Sequence, residues 1–398
     1  MTGLPEIPMP RECPYRLPAG YAALRAEGPM TRVRLRDGTP VWAVTGQAWA
    51  RALLADPRLS SDALHPNHPQ LSRPEGAPRR DPELKRAALT FVEMDDPLHA
   101  AHRRMVIPYF SVRRVRALRP HIEAVADDLV SRIHAAGPPA DLMAALAVPL
   151  PALTLCAVLG VPHADREFFR AHLVWPMLEH PASGPSFRAV RELLAELLPA
   201  KNGDDDVLGG LARRVAAGEL TERQALEMCS MLIIAGHETT ANTLALGVLT
   251  LLAHPGQLAA LRADPAAMPG AVEELLRYLT VADTVPRVAL ADIEIGDRLI
   301  RAGEGVVLLL AAANRDAAAF AGSERFDIGR RAGGHLTFGH GVHQCLGHVL
   351  ARAELEIALT TLLARLPGLR LAVPADRLPV KPALSLQGVT RLPITWEP

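Results

Sequence analysis

Residues 338–347 read FGHGVHQCLG, and the cysteine in this stretch is Cys345. The glycines allow the backbone to turn tightly and to pass close to a flat ligand without clashes from Cβ atoms. Apolar residues at helical spacing follow over residues 349–366, so Cys345 is expected at or just before a helix N-terminus. Unpaired N–H groups and the helix dipole favour a charged sulfur there, and the stretch therefore predicts a thiolate that binds a soft metal.

The spacing F-G-x-G-x-H-x-C-x-G resembles the haem loop of the cytochrome P-450 superfamily, with six positions of fixed type in ten residues. The alternative metal is zinc, because His340, His343, Cys345 and His348 crowd the same segment. Structural zinc sites usually pair ligands from two separate knuckles, and no Cys-x-x-Cys motif occurs elsewhere in the chain. Haem is therefore favoured over zinc.

The composition argues against several classes of partner. Lysine plus arginine (43) equals aspartate plus glutamate (43), so no global charge indicates nucleic acid or an acidic membrane surface. No basic run with an apolar core opens the chain, and polar residues interrupt the apolar region 228–253, so we expect no membrane anchor. The four cysteines lack paired spacing, which fits a reducing cytoplasm. Without a glycine and serine linker, residues 1–398 are read as a single domain with an α-rich body and a smaller β-rich lobe.

The first hundred residues contain one hairpin signal and one long loop. Residues 31–44 alternate apolar and polar side chains around Asp37 and Gly38, which predicts a β-hairpin. Residues 60–94 are rich in proline, histidine and arginine with little periodicity. Because long loops in compact proteins are usually functional or mobile, we assign this one to the substrate entrance.

A basic helix follows. His99 and Arg103 are four residues apart and share a helix face, which from these residues alone is equally well a solvated basic face. Arg113, Arg114 and Arg116 come shortly after. This basic patch fits an acidic ferredoxin, although a merely soluble surface is about as good an explanation.

A long buried helix is predicted in the middle of the chain. Thr221 and Gln224 form a capping box, and the helix should run to about residue 253, before Pro255. Residues 235–240 (AGHETT) are a polar break in this apolar element. Because buried polar groups are costly unless paired, the break favours a functional cause over the alternative, a helix kink with a satisfied threonine hydroxyl.

Two further arginine motifs are weak signals alone. They become informative because they precede the cysteine loop in the order found in the family. Glu274 and Arg277 form an E-x-x-R pair, which alone is common on helix surfaces. In the cytochrome P-450 family this pair belongs to a buried structural network, whose third member would be Arg325. Arg287 aligns with a haem propionate ligand of the family, with an exposed strand-edge arginine as the alternative.

The resemblance covers essentially the whole chain and implies a mainly α fold with small β-sheets, in which haem lies between a long central helix and the cysteine loop. It implies that Cys345 is the thiolate ligand of haem b iron, while Glu238 and Thr239 relay protons to dioxygen and Gly236 leaves room for it. The residues expected to contact the cofactor are His99, Arg103, Ala235, Gly236, Arg287, Phe338, His343, Cys345 and Gly347.

The implied activity is a monooxygenase that inserts one oxygen atom into a bulky hydrophobic small molecule, by hydroxylation or epoxidation in polyketide, macrolide or terpenoid biosynthesis. Ring coupling and a non-catalytic haem-binding protein are the alternatives. No flavin or nicotinamide fingerprint occurs, so a ferredoxin and an NAD(P)H-dependent reductase would supply electrons. By resemblance, residues 168–190 form a lid and 385–389 a hairpin tip. The pocket candidates are Val92, Ile233, Ile234, Asp283, Val285 and Leu386.

Overall fold

The computed structural model shows a mainly α protein with small β-sheets, as predicted. It describes residues 3–11, 13, 15–71, 90–169, 171–172, 185–201, 205–381 and 386–397. Much of the predicted entrance loop 60–94 and of the predicted lid 168–190, and the start of the 385–389 tip, lie outside these residues.

The helices and strands follow the apolar periodicity of the sequence. The helices are α1 (Ala19–Glu27), α2 (Gln47–Ala55), α3 (Leu98–Val106), α4 (Val112–Ala136), α5 (Pro149–Leu159), α6 (Pro185–Ala200), α7 (Val207–Ala216), α8 (Glu222–Ala253), α9 (Pro255–Ala263), α10 (Met268–Leu279), α11 (Leu310–Ala313) and α12 (His348–Arg365). The strands are β1 (Glu6–Ile7), β2 (Met30–Leu35), β3 (Pro40–Val44), β4 (Leu59–Ser60), β5 (Ala140–Asp141), β6 (Thr284–Ala289), β7 (Ile293–Ile295), β8 (Arg298–Ile300), β9 (Gly305–Leu309), β10 (Arg370–Leu371) and β11 (Pro393–Thr395).

The chain divides into two compact units. The first consists of Met1–Ala101, Glu273–Cys345 and Lys381–Gln387. The second consists of His102–Val272, Leu346–Val380 and Gly388–Pro398. That the two units make up a single folding domain stays a prediction.

The first unit contains a six-stranded sheet with the order β1-β2-β3-β9-β6-β4. The hairpin predicted at 31–44 is confirmed, because β2 and β3 pair antiparallel along their length. Side chains alternate between the two faces, so Trp42 and Val306 join one apolar cluster while Val41 and Val307 join another. The centre of this sheet is therefore buried on both faces.

The second unit contains α8, whose ends agree with the sequence prediction. Thr221 and Gln224 exchange the two hydrogen bonds of a capping box, and the helix ends at Ala253. Its 32 residues span about 48 Å at the standard rise per residue. It contacts α5, α7 and α12. Among the described residues no single helix is both long and apolar enough to cross a membrane; α8 and α9 meet the criterion only together, with a bend of 103° between them.

The predicted C-terminal hairpin over residues 371–396 is present in short pieces. β10 pairs antiparallel with β11, which also pairs with β5. An isolated antiparallel bridge joins Val380 to Val389 further along the hairpin. This small sheet belongs to the second unit.

A buried charge network holds the end of α10 to the chain that precedes the cysteine loop. The carboxylate of Glu274 accepts two hydrogen bonds from Arg277, at 2.7 and 2.8 Å, and both side chains are fully buried. Arg277 also donates to the carbonyls of Asn314 and Ser323. Because buried charges are tolerated only when paired and hydrogen-bonded, the network fixes where this part of the chain lies.

The third side chain of the network is Arg330, so the prediction of Arg325 is wrong in this respect. Nε of Arg330 donates to Glu274 at 3.2 Å, and its side chain is 10% exposed. Arg325 contributes only its carbonyl, while its guanidinium pairs with Asp327 and is 77% exposed. Successive turns reverse the chain over residues 322–330 and bring the later arginine to the carboxylate.

Replacing Arg330 with alanine is expected to lower the free energy of unfolding by about 2–3 kcal/mol, because a charged hydrogen bond to a buried carboxylate is lost. Arg325→Ala is the matched control and should change the free energy by less than about 0.5 kcal/mol, since exposed ion pairs contribute little. Urea denaturation of the two variants measures the difference. An equal loss in both would contradict the assignment of Arg330.

A second buried carboxyl group lies on α12 in the second unit. Glu354 is 3% exposed, and burial raises the pKa of its side chain to about 8. An unfolded glutamate has a pKa of about 4.3, so the folded state binds one more proton than the unfolded state between these two values. The stability contributed by protonated Glu354 is therefore complete at low pH and declines as pH rises through this window.

Glu354→Gln removes the titration while preserving the shape of the protonated side chain. We expect this variant to gain stability relative to the unmodified protein as pH rises from about 4.3 to about 8, with no further gain above that range. Thermal unfolding midpoints of the two holoproteins, measured across this range, provide the comparison. Parallel pH profiles would show that Glu354 is ionised in the folded state.

Candidate functional site

The cysteine loop lies in the first unit as a tight turn. The N–H of Cys345 donates to the carbonyl of Phe338 at 2.8 Å, and its side chain is exposed. Gly341 has a φ of 74°, a conformation that favours glycine, and a Cβ at this position would lie 2.6 Å from the carbonyl oxygen of Leu54. Two constraints therefore require this glycine, and together they hold the loop against the end of α2.

Two histidines meet beside the loop. The ring centroids of His99 and His343 are 4.0 Å apart. Nδ1 of His99 is 3.0 Å from a carboxylate oxygen of Asp96, and this hydrogen bond holds the pKa of Asp96 below its usual value. His99 is 2% exposed, and its Nε2 is buried without a hydrogen-bond partner in the described part of the chain. This nitrogen is suited to an acidic ligand group.

Arg287 is a partly buried cation on β6. Its one hydrogen bond is from Nη1 to the adjacent Pro286 carbonyl, at 2.8 Å, and within the described ranges no carboxylate pairs with it. Desolvation lowers the pKa of Arg287 to about 10, although the negative charge of Asp95 acts in the opposite direction. β9 pairs with β6 at Arg287, whereas β4 pairs only with Val288 and Ala289, so it is the partial burial of Arg287 that argues against an exposed strand-edge arginine.

The middle of α8 has a local exposed face. Ile234 and Ala235 are exposed and Thr239 is partly exposed, although the helix is buried on either side of them. The Thr239 hydroxyl donates to the Ala235 carbonyl at 2.6 Å, and the helix is continuous through this region. The predicted polar break is therefore chemical and does not interrupt the backbone helix.

Two polar-break residues of the same turn have defined surroundings. A Cβ at Gly236 would lie 3.2 Å from Leu155 of α5, so the glycine permits close packing of two helices within the second unit. That Gly236 leaves room for dioxygen stays a prediction. Glu238 is 8% exposed, as expected for a polar group set into a buried helix. Thr243 donates to the Thr239 carbonyl at 2.7 Å and reinforces the turn.

The pocket candidates separate into exposed and buried groups. Val92 and Ile234 are 44% and 40% exposed. Ile233 is 1% exposed, because its side chain points about 100° away from that of Ile234 and is packed inside the protein. Asp283 is also buried, with its carboxylate bonded inside the protein, since a buried charge requires partners. Neither Ile233 nor Asp283 is therefore an exposed lining residue.

The remaining pocket and cofactor candidates are located by the helices and strands in which they lie. Val285 lies on β6 and packs against an apolar cluster of the sheet, and Leu386 forms an isolated bridge with Ala282. Arg103 lies on α3, one turn after His99. Gly347 is the residue before the first turn of α12.

The histidines around Cys345 do not form a zinc site. Over the residues that the structure describes, no group of three or more His, Cys, Asp or Glu side chains is placed to hold a metal ion. A structural zinc ion normally takes four such ligands. A single thiol suits a metal whose other ligands come from a cofactor, as in haem.

Haem of the thiolate-ligated type requires a sulfur ligand and cationic partners for its two propionates. Within the first unit the exposed Cys345 thiol, the unpartnered Nε2 of His99 and the unpaired Arg287 provide these groups. The residues present therefore fit the cofactor. Sequence reasoning identified all three, but it missed Asp96, whose position three residues before His99 is the only signal for it.

Comparison with known proteins agrees with this fit. The family model described as Cytochrome P-450 matches residues 191–367. Pentalenic acid synthase of Streptomyces avermitilis is 47% identical over 98% of this chain and 97% of its own length. Vitamin D3 dihydroxylase of Streptomyces griseolus is 45% identical over 99% of this chain and 98% of its own.

A solved structure extends the likeness to the backbone. The mycinamicin VIII C21 methyl hydroxylase MycCI of Micromonospora griseorubida, crystallised with mycinamicin VIII, has a TM-score of 0.88 and 39% identity over 99% of this chain and 100% of its own. Sequence identity and backbone similarity thus agree over the whole chain, and the chain belongs to the cytochrome P-450 family.

Proposed function

We propose that this chain is a haem-thiolate monooxygenase that hydroxylates a bulky hydrophobic molecule in natural-product biosynthesis. The observation that carries the proposal is the arrangement of Cys345, His99 and Arg287 in the first unit, which suits haem and no protein-only metal site. The names of three relatives refer to pentalenic acid, vitamin D3 and mycinamicin VIII. We propose a substrate of the same bulky, mainly hydrophobic kind, with epoxidation as the second candidate reaction.

The residues that would hold haem b comprise a sulfur ligand, basic partners of the propionates and uncharged contact residues. Cys345 would bind the iron through sulfur, while His99, Arg103, Arg287 and His343 would bind the propionates. When bound, haem supplies the activation of dioxygen and the transfer of one oxygen atom into a carbon–hydrogen bond. Phe338, Ala235 and Gly347 would contribute contact surface.

Thr239 and Glu238 are the proposed proton donors. The Thr239 proton is committed to the Ala235 carbonyl, which leaves the hydroxyl oxygen able to accept a hydrogen bond from water or substrate. A water molecule bonded at this oxygen can give up a proton and take a replacement from Glu238, the adjacent acidic residue on α8. The pair would therefore keep a proton source at an otherwise apolar helix face.

Electrons would come from a ferredoxin and an NAD(P)H-dependent reductase. The first turn of α4 offers the exposed Arg113 and Arg116 beside Val112, which is 50% exposed. Arg114 is engaged with Asp205, so it contributes less to the basic patch than the sequence indicated. A cytoplasmic location is part of the same proposal, because no disulfide joins any of the four cysteines, all of which the structure describes, and ferredoxin systems operate in reducing surroundings.

The cofactor assignment is tested on the purified protein. We expect a coloured protein whose reduced form, exposed to carbon monoxide, shows the absorption typical of sulfur-ligated haem, and Cys345→Ser should lose it. Cys156→Ser is the matched control, because Cys156 is buried on α5 and should leave the spectrum unchanged. A serine variant at 345 with the full spectrum would overturn the ligand assignment, and haem without turnover would favour the non-catalytic alternative.

Thr239→Ala is expected to retain haem but to release most of its reducing equivalents as hydrogen peroxide, because the hydroxyl that accepts and passes protons is gone. The amount of product formed per NAD(P)H consumed should fall about tenfold or more, because general acid catalysis is lost. Peroxide and product are measured per NAD(P)H consumed with a ferredoxin system. Thr243→Ala, one turn along α8, is the control that should stay coupled.

Charge reversal tests the docking of ferredoxin. Arg113→Glu combined with Arg116→Glu should slow reduction at low salt by about tenfold and flatten its salt dependence, since steering between opposite charges is lost. Arg132→Glu reverses an exposed charge near the other end of α4 and should have little effect. Stopped-flow reduction at several salt concentrations measures this, and equal salt dependence in all proteins would count against the patch.

A further inference from the structure

A buried carboxylate just before β6 joins distant parts of the first unit. Asp283 is 7% exposed. Its Oδ2 accepts hydrogen bonds from the Tyr21 hydroxyl at 2.8 Å, from Arg11 Nη2 at 3.2 Å and from Gln387 Nε2 at 3.4 Å. These partners lie 262, 272 and 104 residues away in the sequence. One oxygen atom thus connects α1, the chain before it and the C-terminal segment.

The backbone near Asp283 holds the same C-terminal segment. The N–H of Gln387 donates to the Val281 carbonyl at 3.2 Å, and Leu386 forms an antiparallel bridge with Ala282. The side chain of Gln387 is also buried, at 8% exposed. The segment at 386–387 is therefore fixed to residues 281–283 by both backbone and side-chain bonds.

The charges of the cluster depend on each other. The Arg11 side chain is 6% exposed, and its desolvation lowers the pKa of the guanidinium, which the charge of Asp283 opposes. Burial likewise raises the pKa of Asp283, and Arg11 opposes that shift. Removing one charge from such a pair leaves the other buried without compensation. The carboxylate of Asp283 is therefore held in one orientation. It is not available to bind a ligand.

We propose that Asp283 is a positioning residue for substrate binding: through Gln387 it sets where Leu386 lies, opposite Ala282 and just before β6. The proposal rests on the proposed function and on the sequence prediction that Leu386 is a pocket residue. Asp283 does not contact substrate in this account. Its loss should change the binding of large ligands while leaving haem and the iron ligand unaffected.

The experiment compares two ligands of haem iron that differ in size. Imidazole is too small to reach beyond the iron, whereas clotrimazole carries three aromatic rings into the substrate region. Both are titrated into the oxidised holoprotein and followed by the haem absorption shift. Asp283→Asn should weaken clotrimazole by about fivefold or more and change imidazole by less than about twofold, a difference of roughly 1 kcal/mol by the usual conversion.

Three variants separate positioning from general destabilisation. Gln387→Ala should reproduce the selective loss, and the double variant with Asp283→Asn should lose no more than the larger single effect. Tyr21→Phe removes a bond to the same oxygen without touching residues 386–387, so it should lower thermal stability and leave clotrimazole affinity unchanged. Asp297→Asn, at a carboxylate that is 76% exposed, controls for the substitution itself.

The outcomes are distinct. Unchanged clotrimazole binding in Asp283→Asn, or an equal loss in Tyr21→Phe, would overturn the positioning role. If Asp283→Asn does not retain haem, Gln387→Ala decides the question, because it leaves the buried charge pair intact. The carbon monoxide spectrum of the unmodified protein is recorded first, so that failure of the haem assignment is recognised separately.

Discussion

The buried carboxylate of Glu274 is bound by two arginines, Arg277 and Arg330, which approach it together. Arg277 extends the interaction to the carbonyls of Asn314 and Ser323, so one charge orders a stretch of chain with little regular structure of its own. That stretch leads directly into the loop of Cys345. The position of the Cys345 sulfur therefore depends on an ion pair that lies outside the cysteine loop.

Elements with strong local signals could be predicted from the sequence. The capping box at Thr221 and the proline at 255 defined α8 at both ends, and alternation around residues 31–44 defined the first hairpin. These signals are local, since each depends on residues within a few positions of one another. The resemblance of the cysteine loop then supplied the order in which the remaining motifs should be interpreted.

Side-chain partners over long distances could not be predicted in the same way. Arg330 lies 56 residues from Glu274, and the sequence offers no reason to prefer it to Arg325. Asp283 was a pocket candidate, and nothing in the sequence indicates that its carboxylate is bonded to groups 104 or more residues away. The sequence likewise does not show which of Ile233 and Ile234 is buried. Only the packing around α8 decides this.

The contact between Gly341 and the carbonyl of Leu54 has a consequence for sequence change in this family member. Any side chain at 341 would push the loop off the last turn of α2 and carry the sulfur with it. The place of the proposed ligand sulfur would then depend on the bulk of a residue that is not itself a ligand. A backbone carbonyl almost three hundred positions earlier in the chain thus helps to determine where Cys345 lies.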